Sequence, residues 1–402
     1  MIETTDTIKG SGYPLAFRLA MAGPRAPLFG AVAGAGVLRV EARAMGGHQK
    51  EAVITEGEGA GSWRVVSDEG PILGGSDLAP FPLGFFSAGL QGDLTGRIVT
   101  LAPFHGVVID ALSIKLENRY AFTGSFLAGT GQGSTGPAGI DVTLQTSAQP
   151  SAVMRLIAAA IDASPAIAAL RAPLANTFAI YVNGKRGSVE GVHASAAADA
   201  VDPFMAHAGR PAPVREANEL PGLITRLREP DTAPPPLPAS GARVDIVVSG
   251  QSSHGVTTGT ANVETRLLRP AGTWFGLKSD ERPAGEQAPS GLALMSAGIS
   301  FCYLTQLLRY VEYRKHKVRA IRLVQYNPYS LQGSAAQGSL RGVAGPVDTH
   351  LFLNAGEPDD VMQKLLLYSA RTCYLHAALG SAYDPEVTLS VNGAASMPVT
   401  LV

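Results

Sequence analysis

The sequence predicts an α+β protein built from two copies of one domain that follow each other along the chain. The first observation is a repeat: APFPLGFFSAGL, beginning at Ala79, and APSGLALMSAGI, beginning at Ala288, share six of twelve residues. The second is that each half starts with segments of alternating polar and apolar residues and continues into a long apolar segment. Alternation is typical of half-buried strands, and a long apolar segment is typical of a buried helix.

The repeat keeps a constant spacing of 209 residues from Ala79 to Gly184. Asn118 and Tyr120, for example, correspond to Asn327 and Tyr329. Upstream the register slips slightly: Trp63 and the Ser-Asp-Glu of 67–69 pair with Trp274 and the Ser-Asp-Glu of 279–281. A period this long exceeds that of any solenoid repeat, so it indicates a duplicated domain.

We expect a first domain over 1–230, a proline-rich linker over 231–240 and a second domain over 241–402. The linker prolines favour an extended spacer that resists packing. Residues 188–230 have no repeat partner, and we interpret them as an appended helix or surface excursion of the first domain. Below, the first half means 1–230 and the second half means 241–402.

The main elements can be predicted one by one from periodicity and helix-end signals. Proline is tolerated at a helix start, and the charged RKHK run of 314–317 marks a helix end. We expect strands at 38–44, 242–250, 320–326, 349–355 and 387–393, a buried central helix at 289–313 and a second helix from Pro358.

Composition narrows the function classes. The chain has 402 residues, 46% of them hydrophobic, and a formal net charge of −1 with no basic cluster, which argues against nucleic-acid binding. We see no signal peptide and no apolar run long enough to span a membrane. The two cysteines fit a reducing cytoplasm, and no His, Cys or carboxylate spacing predicts a metal site. We expect no cofactor.

Both cysteines lie in the predicted second domain, and neither has a cysteine at the matching position of the first half. Cys302 falls inside the central helix and Cys373 at a helix break, whereas the first half has Asp93 and Ser164 at the matching positions. Ser164 precedes a proline, a pair typical of a helix start. Cys373 is therefore predicted at a helix N-terminus, where the helix dipole lowers a thiol pKa.

The motif GGSDLAPFPLGFFSAGLQGD of 74–93, the weaker PSGLALMSAGISFC of 289–302 and the order of elements together resemble the OsmC/Ohr family. The names refer to osmotic induction and organic hydroperoxide resistance. The resemblance implies two tandem OsmC-like domains, with antiparallel sheets and long central helices, that form an intrachain pseudo-dimer. Whether two such chains also form a homodimer is left open. It also implies that Cys302 attacks a hydroperoxide and that Cys373 resolves the sulfenic acid as a disulfide, which a dithiol reductant would reduce.

Some positions depart from the family pattern. The family places a Glu ten residues before the first cysteine, where this chain has Leu292. The family also uses an arginine near the thiol, for which Arg266, Arg269 and Arg309 are candidates; Arg309 lies two helical turns after Cys302, on the same face. We expect the first half to supply walls of the site and polar groups that the second half lacks.

Two other functions remain open from the sequence. His376 follows Cys373 by three residues on one helical face, and a Cys–His pair can act as a nucleophile for hydrolysis or bond cleavage of a bulky apolar substrate. The first half lacks both cysteines, which also suits a non-catalytic protein that binds an apolar ligand. For the pocket we expect Leu292, Met295, Ile299, Phe301, Tyr303 and Asp93, with Asp93 pairing with an arginine such as Arg97 if buried.

Overall fold

The computed structural model describes residues 6–20, 37–57, 61–208, 222–230, 241–255, 259–282, 285 and 287–401. The described residues form a mixed α+β structure with two sheets and several helices. The linker expected at 231–240 lies outside them.

The strands, in chain order, number nineteen among the described residues. Those before residue 230 are β1 Ala16–Ala20, β2 Val37–Ala44, β3 Lys50–Thr55, β4 Ser62–Ser67, β5 Ala111–Gly124, β6 Gln132–Thr135, β7 Gly139–Gln145, β8 Thr177–Val182, β9 Lys185–Gly187, β10 His193–Ala194 and β11 Ile224–Arg228. Those after it are β12 Gly241–His254, β13 Thr260–Arg269, β14 Trp274–Asp280, β15 Val318–Gln332, β16 Arg341–Ala344, β17 Asp348–Ala355, β18 Glu386–Val391 and β19 Met397–Pro398.

The helices of the described chain are α1 Ile8–Ser11, α2 Pro82–Leu101, α3 Pro150–Asp162, α4 Pro165–Arg171, α5 Phe204–Ala208, α6 Gly291–Arg314, α7 Asp359–Thr372 and α8 Tyr374–Gly380. Three helices recur in the same order in each half, α2, α3 and α4 in the first and α6, α7 and α8 in the second, and α1 and α5 are additional helices of the first half. The predicted central helix is thus α6, and the predicted helix break is the junction of α7 and α8.

Each sheet takes strands from both halves of the chain. The first sheet has the order β1-β4-β3-β2-β15-β17-β8-β10, and the second has the order β11-β14-β13-β12-β5-β7-β18-β19. The joins are antiparallel pairs, β2 with β15 and β12 with β5, over most of the length of these strands. Because main-chain hydrogen bonds of each sheet cross between the halves, neither half completes its sheet alone.

Both sheets depart from the expected antiparallel pattern. Strand β8 pairs parallel with β17 and with β10, and β18 pairs parallel with β7. In none of these pairs does a tight hairpin join the two strands, so the chain between them is long enough for both to run in the same direction.

Residues 188–230, for which we expected no repeat partner, include strand β11. Strand β11 lies at the edge of the second sheet beside β14, as β1 lies beside β4 in the first. The match extends to side chains: Arg18 lies over the ring of Trp63, and Arg228 lies over the ring of Trp274. By position, β11 belongs with the strands of the second half.

The core between the sheets is built around α2 and α6. Helix α2 packs on strands of the second sheet, α6 packs on strands of the first, and the two helices pack on each other. They approach closely at Gly89 and Gly298, which occupy equivalent positions: a Cβ on Gly89 would lie 2.4 Å from the amide nitrogen of Met295. Only glycine permits this contact between backbones.

Helix α6 is apolar enough and long enough to span a membrane by composition. Its 18-residue window of highest hydropathy is, however, entirely buried inside the protein. Its start is fixed by Ser290, whose hydroxyl accepts the amide hydrogen of Ala293, and its end by Lys315 in the left-handed conformation. We therefore interpret α6 as the central helix of the core.

Candidate active site

A predominantly apolar cavity of about 360 Å³ opens beside Cys302. The first half contributes the loop after β4 and the start of α2, including Phe81 and Leu83. The rest of the wall comes from strands of the second sheet, with Val244 and Leu267, and from one face of α6. Cavities of this size, with few polar groups, are typical of sites for small organic ligands.

Four residues of α6 line the cavity at helical spacing: Cys302, Thr305, Gln306 and Arg309. Positions i, i+3, i+4 and i+7 lie on one face of a helix, so these side chains form a single stripe. Cys302 is 2% exposed and is reached from this cavity. The stripe places the thiol at the polar end of a pocket that is otherwise apolar.

The residues that we expected to line the pocket do not do so. Leu292, Met295, Ile299, Phe301 and Tyr303 are all buried in the core and none reaches the cavity. The physical reason is that α6 is covered on every face over this stretch, because α2 and the first sheet pack against it. Phe301, for instance, packs against Phe85 at a ring-centroid distance of 5.3 Å.

Cys373 occupies the break between α7 and α8, as predicted. It is the N-cap residue of α8 and is completely buried, and it does not line the cavity. Neither cysteine forms a disulfide, so both are free thiols. The two thiols nevertheless lie close enough for each to shift the pKa of the other.

The surroundings shift the two thiol pKa values in opposite directions. Burial raises the pKa of Cys302 well above its usual value, and the neighbouring Cys373 raises it further. Burial alone would also raise the pKa of Cys373, but hydrogen bonding from Cys302 and the nearby His376 outweigh burial and lower it well below the usual value. Within this pair, ionisation is therefore favoured at Cys373, at the start of α8, over Cys302.

His376 lies beside Cys373 and away from the cavity of Cys302. It is 6% exposed, and its ring packs against Tyr303 and Phe178. Its nearest opening is a separate shallow groove that includes Asn176. His376 thus neighbours the buried thiol and not the one that faces the cavity.

Of the three candidate arginines, the structure brings only Arg309 to the cavity. Its guanidinium lies 3.9 Å from the ring centroid of Phe126 and donates to Gln306. Arg266 instead stacks on Trp274, at 4.1 Å, and Arg269 lines a different surface groove. Arg309 therefore supplies positive charge to the same cavity as Cys302.

The sequence did not reveal a buried ionic cluster that comes from the first half. Lys50 is fully buried and donates to Glu69 at 2.9 Å and to Thr305 at 2.8 Å, and the hydroxyl of Thr305 donates to Glu69. Glu69 and Thr305 line the cavity. The repeat of Ser-Asp-Glu at 67–69 and 279–281 was the sequence feature that could have pointed to Glu69. It gave no indication that Glu69 contacts the other half.

A second buried group from the first half lies at the thiols. The pKa of Tyr120 is raised, first by burial and then by the charges of Cys302 and Cys373, which keeps the phenol protonated. Its hydroxyl has no hydrogen-bond partner among the described residues, and its ring lies 5.8 Å from that of Tyr374. In the sequence, Tyr120 belongs to an Asn-x-Tyr motif that is repeated in the second half, but the repeat predicted no role for it.

The matching place in the first half holds a carboxylate in place of a thiol. Asp93 is fully buried and accepts hydrogen bonds from the hydroxyl of Ser164 at 2.6 Å and from the amide of Ala166 at 3.2 Å. Arg97 lies 3.4 Å from the other oxygen, the pairing we expected. Asp93 was also expected in the substrate pocket; it lies instead in this separate site, because it is on α2 and faces α4.

Comparisons with known proteins are sparse. No family model matches the chain, and no curated protein matches it. A solved structure with partial likeness is an OsmC-like hydroperoxide resistance protein from Jannaschia sp. CCS1, with 20% identity and a TM-score of 0.26 over 38% of this chain and 97% of that one. The residues of the site therefore carry the functional proposal.

Proposed function

We propose that this chain reduces organic hydroperoxides, with Cys302 as the attacking thiol and Cys373 as the resolving one. The observation that carries the proposal is the position of Cys302: a thiol at the polar end of an apolar cavity, with a second thiol beside it. An attacking thiol needs access to the oxidant and a neighbouring thiol that can resolve the sulfenic acid. Cys302 has both, and Cys373, which is sealed off, suits the second role.

The architecture also supports the proposal that the chain is a duplicated OsmC-like protein. We propose that the two halves form an intrachain pseudo-dimer whose single thiol site takes Glu69 and Tyr120 from the first half and the cysteines from the second. The equivalent strand orders of the two sheets and the matching environments of Asp93 and Cys302 support this view.

The reaction proceeds in two steps. The sulfur of Cys302 attacks the terminal oxygen of the hydroperoxide; an S–O bond forms, the O–O bond breaks, and the alkoxide takes the proton that Cys302 gives up. The products are a sulfenic acid and an alcohol. Cys373 then attacks the sulfur of Cys302, an S–S bond forms, and the S–O bond breaks with release of hydroxide, which becomes water. An external dithiol restores the two thiols and is itself oxidised to a disulfide.

The alternative of a Cys–His hydrolase has less support. Its histidine neighbours Cys373, which does not line the described cavity, whereas a nucleophile must reach the substrate carbonyl. Cys302 faces the cavity, but His376 does not line it.

The test uses the reduced protein with cumene hydroperoxide and a dithiol. We expect turnover, loss of two thiols per hydroperoxide when the dithiol is absent, and no reaction for Cys302→Ser. Hydrogen peroxide should react at least about tenfold more slowly, because the apolar body of cumene hydroperoxide gains roughly 1.5 kcal/mol or more on burial in the cavity.

A matched control is Ser164→Ala, which alters the equivalent position in the site without cysteines and should leave turnover unchanged. Absence of turnover in the wild-type protein, or full activity in Cys302→Ser, would contradict the proposed function. Hydrolysis of aryl esters that depends on Cys302 or Cys373 would favour the alternative.

A further inference from the structure

The strongest unexplained feature of the cavity is the carboxylate of Glu69. Within the described part of the chain, both of its side-chain hydrogen bonds, from Lys50 and from Thr305, go to Oε1. Oε2 makes no hydrogen bond to a described residue, and it is accessible from the cavity that Glu69 lines. A carboxyl oxygen that is free in an otherwise apolar cavity can accept a hydrogen bond from a ligand.

The position of this oxygen relative to the thiol is set by α6. Thr305 follows Cys302 by three residues, so both side chains lie on the cavity face one turn apart. Because Thr305 holds Oε1 of Glu69, the carboxylate is fixed within about one helical turn of the thiol. Lys50 is fully buried and donates to the same oxygen at 2.9 Å, which holds the carboxyl group from a second side.

The equivalent site around Asp93 provides an internal comparison. Strand registers place Ala261 where the cysteine site has Lys50, and the repeat places Gly96 where it has Thr305. Only the glutamate is present at both sites, as Glu281, which lies against Gly96 and accepts the amide hydrogen of Gly291. The lysine and the threonine thus occur only where the cysteines occur, which a purely structural role would not require.

We propose that Glu69 is a substrate-orienting residue, supplied by the first half, whose Oε2 accepts the O–H of the hydroperoxide while Thr305 and Lys50 hold the carboxylate in place. This inference rests on the proposed function. The hydrogen bond fixes the terminal oxygen, which carries that hydrogen, near the sulfur of Cys302. It also distinguishes hydroperoxides from dialkyl peroxides, which have no O–H to donate.

The experiment compares Glu69→Gln with Glu281→Gln, its counterpart at the site without cysteines. Two reactions of the reduced protein are measured: oxidation by cumene hydroperoxide, and modification by methyl methanethiosulfonate, a thiol reagent with no O–H. Glu69→Gln should slow the first on the order of tenfold to a hundredfold, the range for losing a hydrogen bond to a charged acceptor. Glu281→Gln should leave the rate of oxidation within about twofold of wild type.

The second reaction should respond in the opposite direction. The charge of Glu69 contributes to the raised pKa of Cys302. Its removal should therefore increase the thiolate fraction and speed modification by methyl methanethiosulfonate at pH 7. Partial unfolding would also expose the buried thiol and speed its modification, so the unfolding midpoint and circular dichroism of Glu69→Gln must match those of wild type for the comparison to count.

Equal oxidation rates for Glu69→Gln and Glu281→Gln would overturn the inference while leaving the proposed function intact. A wild-type protein that does not consume cumene hydroperoxide would overturn both. If Glu69→Gln fails to fold, Thr305→Val replaces it; this variant frees Glu69 from its position, and we expect a loss of oxidation rate of about tenfold. An unchanged rate in Thr305→Val would then contradict the inference.

Discussion

At the scale of single residues, the two thiols have different surroundings. Cys302 reaches the cavity and its pKa is raised, whereas Cys373 is sealed off at the start of α8 and its pKa is lowered. At the equivalent positions of the first half, Ser164 caps α4 and donates to Asp93. Both Ser164 and Cys373 are thus N-cap residues that lie beside the residue matched to them on the central helix.

This comparison predicts the behaviour of Cys373→Ser. A serine at the N-cap can cap α8 as Ser164 caps α4, so the fold should persist. Without a resolving thiol, one equivalent of cumene hydroperoxide should leave Cys302 as a sulfenic acid, which mass spectrometry would detect as a dimedone adduct. A variant that still loses two thiol equivalents, or that turns over with dithiol as fast as wild type, would show that Cys373 does not resolve the intermediate.

At the scale of secondary structure, the crossing of α2 and α6 depends on glycine. A Cβ on Gly298 would lie 2.7 Å from the amide nitrogen of Phe86 and 2.9 Å from the carbonyl oxygen of Pro82. Both are backbone atoms, so the helices would have to move apart.

We predict that Gly298→Ala lowers the free energy of unfolding by about 1–3 kcal/mol or more, the usual cost of overpacking a core. Denaturant unfolding measures the change. Gly139→Ala is the control, because a Cβ there meets no atom within 4 Å and should change stability by less than about 0.5 kcal/mol. Equal effects of the two substitutions would show that the crossing tolerates a larger separation.

Strand β3 carries a buried ionic cluster that links stability to pH. Glu51 pairs with Arg43, with Arg64 at 2.6 Å and with His207 at 3.3 Å. Burial alone would raise the pKa of Glu51, but these partners outweigh it and hold the pKa far below the ordinary 4.5. A lowered carboxyl pKa stabilises the fold above the unfolded-state pKa, and that stabilisation is lost as the pH falls below it.

Glu51→Gln should therefore destabilise the protein by about 3–5 kcal/mol at pH 7, the range for breaking a buried ion pair. The difference from wild type should shrink as the pH falls below about 4.3. Chemical denaturation between pH 3 and pH 7 gives both values. Asp360→Asn, in an exposed pair with Lys364, should cost at most about 1 kcal/mol. A difference between Glu51→Gln and wild type that is independent of pH would contradict the assignment of a lowered pKa.

At the scale of the whole molecule, the halves are interleaved. The first sheet runs from strands of the first half into β15 and β17, then returns to β8, and the second sheet mirrors this order. One hydrophobic core contains residues of α2, α6 and both sheets. The halves should therefore unfold together and not as separate units.

The chain offers a direct probe of this cooperativity, because it has one tryptophan in each half, Trp63 and Trp274. We predict that the single-tryptophan variants Trp63→Phe and Trp274→Phe, each followed by the fluorescence of the remaining tryptophan, report the same unfolding midpoint as circular dichroism of the same variant. A midpoint from either tryptophan that departs from that of its own circular dichroism curve would indicate two independently folding units.

Local features of the molecule could be predicted from the sequence because they depend on neighbouring residues. Helix α6 and the break at Cys373 follow from apolar runs and helix-end signals, and their bounds agree with the structure within two residues. The face of α6 that opens to the cavity could not be predicted, because the helix is apolar on almost every side. Periodicity carries no orientation in a helix that is buried all round.

Features that depend on contact between the halves were missed for a different reason. Lys50 and Glu69 lie more than two hundred residues from Thr305, which they contact, and no local pattern encodes such a pairing. The role of β11 was hidden because the spacing of the repeat drifts upstream of Ala79, which obscured its correspondence with β1. These contacts become visible only when the order of strands in the sheets is known.

The central claim is that Cys302 and Cys373 form one redox pair at a cavity that both halves build. The most direct measurement treats the reduced protein with one equivalent of cumene hydroperoxide, blocks free thiols under denaturing conditions and maps the unreduced digest by mass spectrometry. We predict a peptide containing Cys302 linked by a disulfide to a peptide containing Cys373 of the same chain. Recovery of both cysteines as blocked thiols, or a disulfide formed only between two chains, would contradict the claim.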